Sequence, residues 1–171
     1  PSSAPVKRKV NTAIKFLENA KSGRLGEKAL VGLTLAKHGL PGDHPRIMAG
    51  VLAIQDALKR GSKNFNADIY STGISIMFLV AVDPSQYRVE IEGLVESLHR
   101  RQKYQGAWGY PLKHKTNGGT CDTSMTQYAV LGLWEAEDQA GVVTPPEVWD
   151  RVARWLLLTQ DPGGGWGYQG K

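Results

Sequence analysis

Two hydrophobic patterns alternate along this chain. In the first, apolar residues recur at helical spacing on one face only: Val10, Ala13, Ile14 and Leu17; Ile47, Val51, Ile54 and Leu58; Ile91, Leu94, Val95 and Leu98; Val148, Val152, Trp155 and Leu156. Such a stripe predicts a helix that buries one side and wets the other. In the second pattern, Ile69 to Val82 and Met125 to Trp134 are apolar nearly all round, with small Gly, Ala and Ser interspersed. That predicts helices enclosed on both sides. The striped segments should form an outer layer and the enclosed segments an inner one.

Boundary residues divide the segments. Pro fits the first turn of a helix, and a polar side chain before it can cap free amides, so Asp43-His44-Pro45 predicts the start of the second outer helix. Thr144-Pro145-Pro146-Glu147 reads as a capping box before the fourth, and Ser124 with Gln127 as another before the later inner helix. Gly39-Leu40-Pro41-Gly42, Asp83-Pro84 and Gly141 each follow an apolar stretch and stop it. The unit is a helical hairpin. Residues 1–9 read as a linker, and 10–171 as a single repeat domain of about three and a half hairpins.

The hairpins repeat in sequence as well as in pattern. Gln102-Lys-Tyr-Gln-Gly-Ala-Trp-Gly-Tyr-Pro returns 58 positions later as Gln160-Asp-Pro-Gly-Gly-Gly-Trp-Gly-Tyr-Gln, with Gln, Gly, Trp, Gly and Tyr in register at 102/160, 106/164, 108/166, 109/167 and 110/168. A second alignment, 54 positions apart, pairs Asp68 with Asp122, Thr72 with Thr126 and Leu79 with Leu133. Ala29 to Ala36 resembles Ala129 to Ala136 and reads as an earlier copy of the inner helix.

Composition narrows the class. At 171 residues, 41% hydrophobic and 22% charged, the chain has the balance of a globular domain and not of a disordered one. Ile69 to Val82 is its longest uncharged apolar run, too short to span a bilayer. Cys121 is the only cysteine, which rules out an intrachain disulfide and a thiolate-rich structural zinc site. His38, His44, His99 and His114 show no pairing at ligand spacing, so no metal and no cofactor is expected. The net charge of +5 gathers partly at Arg100, Arg101, Lys103, Lys113 and Lys115, which read as a solvated loop face. No nucleic-acid partner is expected.

Arg151-Val-Ala-Arg-Trp-Leu-Leu-Leu-Thr-Gln160, followed by Gly164 and Trp166, resembles the Gln-Trp repeat of the prenyltransferase and squalene-cyclase superfamily. The earlier copy is looser, with Gly93, Gln102, Gly106 and Trp108 but Leu98 at an aromatic position. The resemblance is strongest from Val89 to Tyr168 and fades toward residue 15. It implies an all-α fold of helical-hairpin repeats forming part of an (α/α)6 toroid. It also implies a terpene-cyclase-like domain that handles a hydrophobic, isoprenoid-type substrate between its inner helices. A closed ring of this kind needs about six hairpins, so the expected partner is the rest of a longer polypeptide or a second copy.

The residues give the site more sparingly. Gln102, Gly106 and Trp108, with Gln160, Gly164 and Trp166, read as structural: Gln satisfies backbone groups at a helix end, and Gly permits the turn beneath a packed indole. Losing a buried Trp166 should cost about 3 kcal/mol. Cyclases that begin by protonation carry an Asp-rich motif before an inner helix. Here Gly119-Thr120-Cys121-Asp122-Thr123-Ser124 retains only its last Asp, and Cys121 stands where the acid would be. The zinc ligands of the prenyltransferase branch are not matched either. Candidate reactive groups are Asp122, then Cys121, then Asp68, with an N-cap the plainer role for Asp122 and a buried thiol the plainer role for Cys121. Tyr70, Phe78, Met125, Tyr128 and Trp134 are candidates to line a hydrophobic cavity, where aromatic faces suit cations. The alternative is a non-catalytic binding or scaffold module built on the same repeats.

Overall fold

In the computed structural model, which describes residues 3–59, 61–111 and 119–169, Ile69 to Val82 forms a helix with ten buried residues around its circumference. It is the fourth of seven α-helices among the described residues: α1 (Ala4–Asn19), α2 (Leu25–Lys37), α3 (Pro45–Leu58), α4 (Ile69–Val82), α5 (Arg88–Arg101), α6 (Thr123–Ala140) and α7 (Pro146–Thr159). One 3-10 turn, Ser62–Asn64, separates α3 from α4. The protein is all-α. Among the described residues no helix is long and apolar enough to cross a membrane.

The two expected layers are present. α4 packs between α2 and α6, while α3 packs on α2, and α5 packs on α3, α4 and α6. The amphipathic stripes face inward: Ile47, Val51 and Ile54 of α3, Ile91, Leu94, Val95 and Leu98 of α5, and Val148, Val152 and Trp155 of α7 are buried. α1 is the exception, with only Ile14 buried, and it begins at Ala4, inside the stretch expected to be linker.

Glycine lets the inner helices approach. A Cβ on Gly73 would stand 2.3 Å from the Tyr128 carbonyl oxygen, so α4 and α6 touch through backbone. On the other side, the Phe78 ring fills a socket left by Gly32 of α2 and Gly50 of α3.

Several helix starts differ from expectation. α3 is capped by His44, whose Nδ1 accepts from the Arg46 amide. α7 has no side-chain cap, because the Thr144 hydroxyl is paired instead with His99 at 3.2 Å. α6 is capped by Asp122, and Ser124 lies inside the helix. Gly141, in the left-handed conformation, ends α6 as expected.

The basic run is a solvated face only in part: Arg100 is exposed, Arg101 partly buried and Lys103 wholly buried. Arg100 donates to the Ser62 and Lys63 carbonyls. Arg101, partly buried, ties α5 to the start of α4 through the Ala67 carbonyl and the Thr72 hydroxyl, and burial pulls its pKa down to about 10. Lys103 is fully enclosed, its ammonium donating to the Tyr110 carbonyl at 2.7 Å. These cations hold backbone carbonyls of the segments between helices. Lys113, Lys115 and His114 lie outside the described residues.

Candidate functional site

The two Gln-Trp turns are the same structure. Gln102 Nε2 donates to the Gly106 carbonyl at 2.8 Å, and Gln160 Nε2 to that of Gly164 at 2.9 Å. The indole of Trp108 donates to Leu98 at 2.9 Å, and that of Trp166 to Leu156 at 2.8 Å. Lys103 and Gly106 make backbone bonds to Ala107 and Lys103, matched by Asp161 and Gly164 to Gly165 and Asp161. Gly106 and Gly164 both have positive φ, 104° and 86°. In both turns Gln thus bonds a carbonyl past the helix end and Gly supplies the positive φ. Phe65 follows the end of α3 by the interval that separates Trp108 from α5 and Trp166 from α7 (58 to 65, 101 to 108, 159 to 166), and it is buried, but it ends a 3-10 turn whose backbone bonds, Asn64 to Gly61 and Phe65 to Ser62, differ from those of the two Gln-Trp turns.

The Gln102–Trp108 turn precedes α6, the Ser62–Asn64 turn precedes α4, and the starts of these two helices gather the candidate residues. Asp68 caps α4, accepting from the Ser71 amide at 2.8 Å and its hydroxyl at 2.7 Å. Asp122 caps α6 by the same rule, accepting from the Met125 amide at 2.8 Å and the Ser124 hydroxyl at 3.1 Å. Thr126 locks α6 to the preceding turn through both the amide and the carbonyl of Trp108, at 3.1 and 3.2 Å. Ser124 also meets the Tyr70 hydroxyl of α4, so the two starts are bridged.

Tyrosines lie near Asp122. The Tyr168 phenol has its pKa pushed up, first by the nearby Asp122 carboxylate, then by burial, with Tyr70 and Tyr110 adding to the shift. The segment bearing Tyr168 is fixed by Thr123, which donates to the Tyr168 and Gly167 carbonyls at 2.8 and 2.7 Å. Sequence reasoning did not select Tyr110 and Tyr168 as site residues, although their register at 110/168 was the signal. Beside this cluster is a cleft of about 210 Å³, lined by Asp68, Ile69, Arg101, Tyr110, Pro111 and Met125, among others.

The remaining candidates separate. Cys121 is 4% exposed, packed with Ala107 and Trp155, and burial pushes its thiol up. It is neither a thiolate nor an accessible acid. Phe78 and Met125 are core side chains, and Phe78 faces α2 and α3. Tyr70 and Tyr128 are half-buried and meet edge to face, ring centroids 5.3 Å apart. Trp134 is 57% exposed on α6. Among the described residues no three His, Cys, Asp or Glu converge as a metal site. No protein-family model and no curated protein matches this chain.

Proposed function

We propose that this chain is a squalene-cyclase-like repeat domain that receives a hydrophobic, isoprenoid-type ligand against its inner helices, as part of an (α/α)6 ring. The Gln-Trp turns, repeated bond for bond, support the repeat reading. The observation that carries the ligand reading is the Tyr70–Tyr128 pair, half-exposed where α4 and α6 pack together. Met77 and Leu131 extend it as partly covered apolar side chains, and Trp134 adds an exposed indole. Crossed aromatic rings beside aliphatic side chains fit an unsaturated hydrocarbon chain, whose π-bonds and any cationic charge they stabilise.

The same site favours binding over turnover. Asp68 and Asp122 both serve as helix caps, and Cys121 holds its proton in the core. This supports the second reading, a non-catalytic binding module.

Quenching of tryptophan fluorescence by farnesol tests the proposal. Saturable quenching that weakens at least about tenfold in Tyr128→Ala, a change of about 1.4 kcal/mol, is the expected result. Quenching that is linear in farnesol, and equal in the variant, would remove the ligand reading.

A further inference from the structure

The first Gln-Trp turn has something seated on it that the second lacks. Gln102 Nε2 bonds not only its own turn but also the Val148 carbonyl of α7, at 2.9 Å, and a Cβ on Gly106 would stand 2.3 Å from the Arg151 carbonyl oxygen. The turn is thus pressed onto the N-terminal half of the following outer helix. At the second turn, Gly164 has only the Gln160 side chain within 4 Å. The consequence is visible in the indoles: Trp108 is 0% exposed and Trp166 44%.

α1 has the reverse deficit. The third, sixth and seventh residues of α7 are Val148, Arg151 and Val152, and those of α1 are Val6, Lys9 and Val10. Both helices carry Pro in the first turn. Val148 and Val152 are each 4% exposed, whereas Val6 and Val10 are 48% and 41% exposed. The stripe they begin is buried further along, at Ile14. The Gln160–Trp166 turn is thus exposed where its counterpart is covered, and the N-terminal half of α1 is exposed where that of α7 is covered. The fold itself displays how the two fit.

We infer that the Gln160–Trp166 turn of one copy receives the N-terminal half of α1 of a second copy, head to tail. Gln160 then donates to the Val6 carbonyl as Gln102 does to Val148, and Val6 and Val10 are covered. Such an interface joins different surfaces of the two copies, so it closes into a ring or continues as a chain. This inference does not depend on the ligand reading.

The test is sedimentation velocity of the full chain over a range of micromolar concentrations, with two variants. Gly164→Asn keeps a residue that tolerates positive φ and meets nothing in the single copy, but it places a side chain where the incoming helix backbone must lie. Val6→Asp puts a charge on the opposite face. The wild-type chain is expected to associate with rising concentration, and each variant to weaken association at least about tenfold, or about 1.4 kcal/mol. Helical circular dichroism of both variants should be unchanged. Mixed together, the variants should form a dimer and nothing larger, because each retains the end the other has lost. A wild-type chain that stays monomeric, or association that Gly164→Asn does not affect, would overturn the inference.

Discussion

A Cβ on Gly132 would stand 3.0 Å from the Cα of Gly73, so α4 and α6 cross with their backbones in contact. Side chains at this crossing would have to displace main chain, which cannot rotate away. Gly73→Ala, aimed at the Tyr128 carbonyl, is expected to destabilise the protein by about 2–3 kcal/mol in urea unfolding. Gly23→Ala, with nothing within 4 Å, should change stability by less than about 0.5 kcal/mol.

The two tryptophans of the Gln-Trp turns should differ in energy although they share a hydrogen bond. Trp108→Ala empties a fully buried site and is expected to cost about 3–5 kcal/mol. Trp166→Ala removes a half-exposed ring and should cost about 1 kcal/mol at concentrations where the chain is monomeric. Denaturant midpoints of the pair, at equal slope, measure the difference.

His99 makes stability depend on pH. Burial holds its imidazole below the ordinary value of 6.5, against the opposing pull of Glu147 and Glu96. The unfolded chain therefore binds the proton more readily than the folded one. His99's contribution is fully present above about pH 6.5 and is lost as pH falls toward its depressed folded value. His99→Gln should flatten the stability profile between pH 7 and about 5, as read from melting temperature.

Cys121 should be silent until the protein opens. Its thiol is buried and shifted upward, so a disulfide reagent at neutral pH is expected to react at the rate of local or global unfolding. Rapid stoichiometric labelling of the native chain would contradict this.

The outer stripes were legible because burial on one face leaves a periodic signal, and Ile47, Ile91 and Val148 all lie where the period put them. The Gln-Trp turns were legible because Gln, Gly and Trp each answer a backbone requirement. Phe65 is not legible as a turn residue, since no Gln or Trp marks its segment and the 3-10 turn before it is bonded differently. Lys103 was misjudged because its charge is satisfied by a carbonyl seven residues away, which no local pattern reports. Phe78 packs against α2 and α3, away from Tyr128, because Gly32 and Gly50, both remote in sequence, leave room for it there. Trp166, expected to be buried, is 44% exposed for a similar reason. Its burial depends on a neighbouring helix and not on its own turn.

The most direct test of the account is native mass spectrometry of the chain mixed with squalene or a polyprenyl diphosphate. The account predicts retained ligand on folded protein, lost in Tyr128→Ala, which keeps its helical circular dichroism. Folded wild-type chain that emerges free of ligand from both mixtures would contradict it.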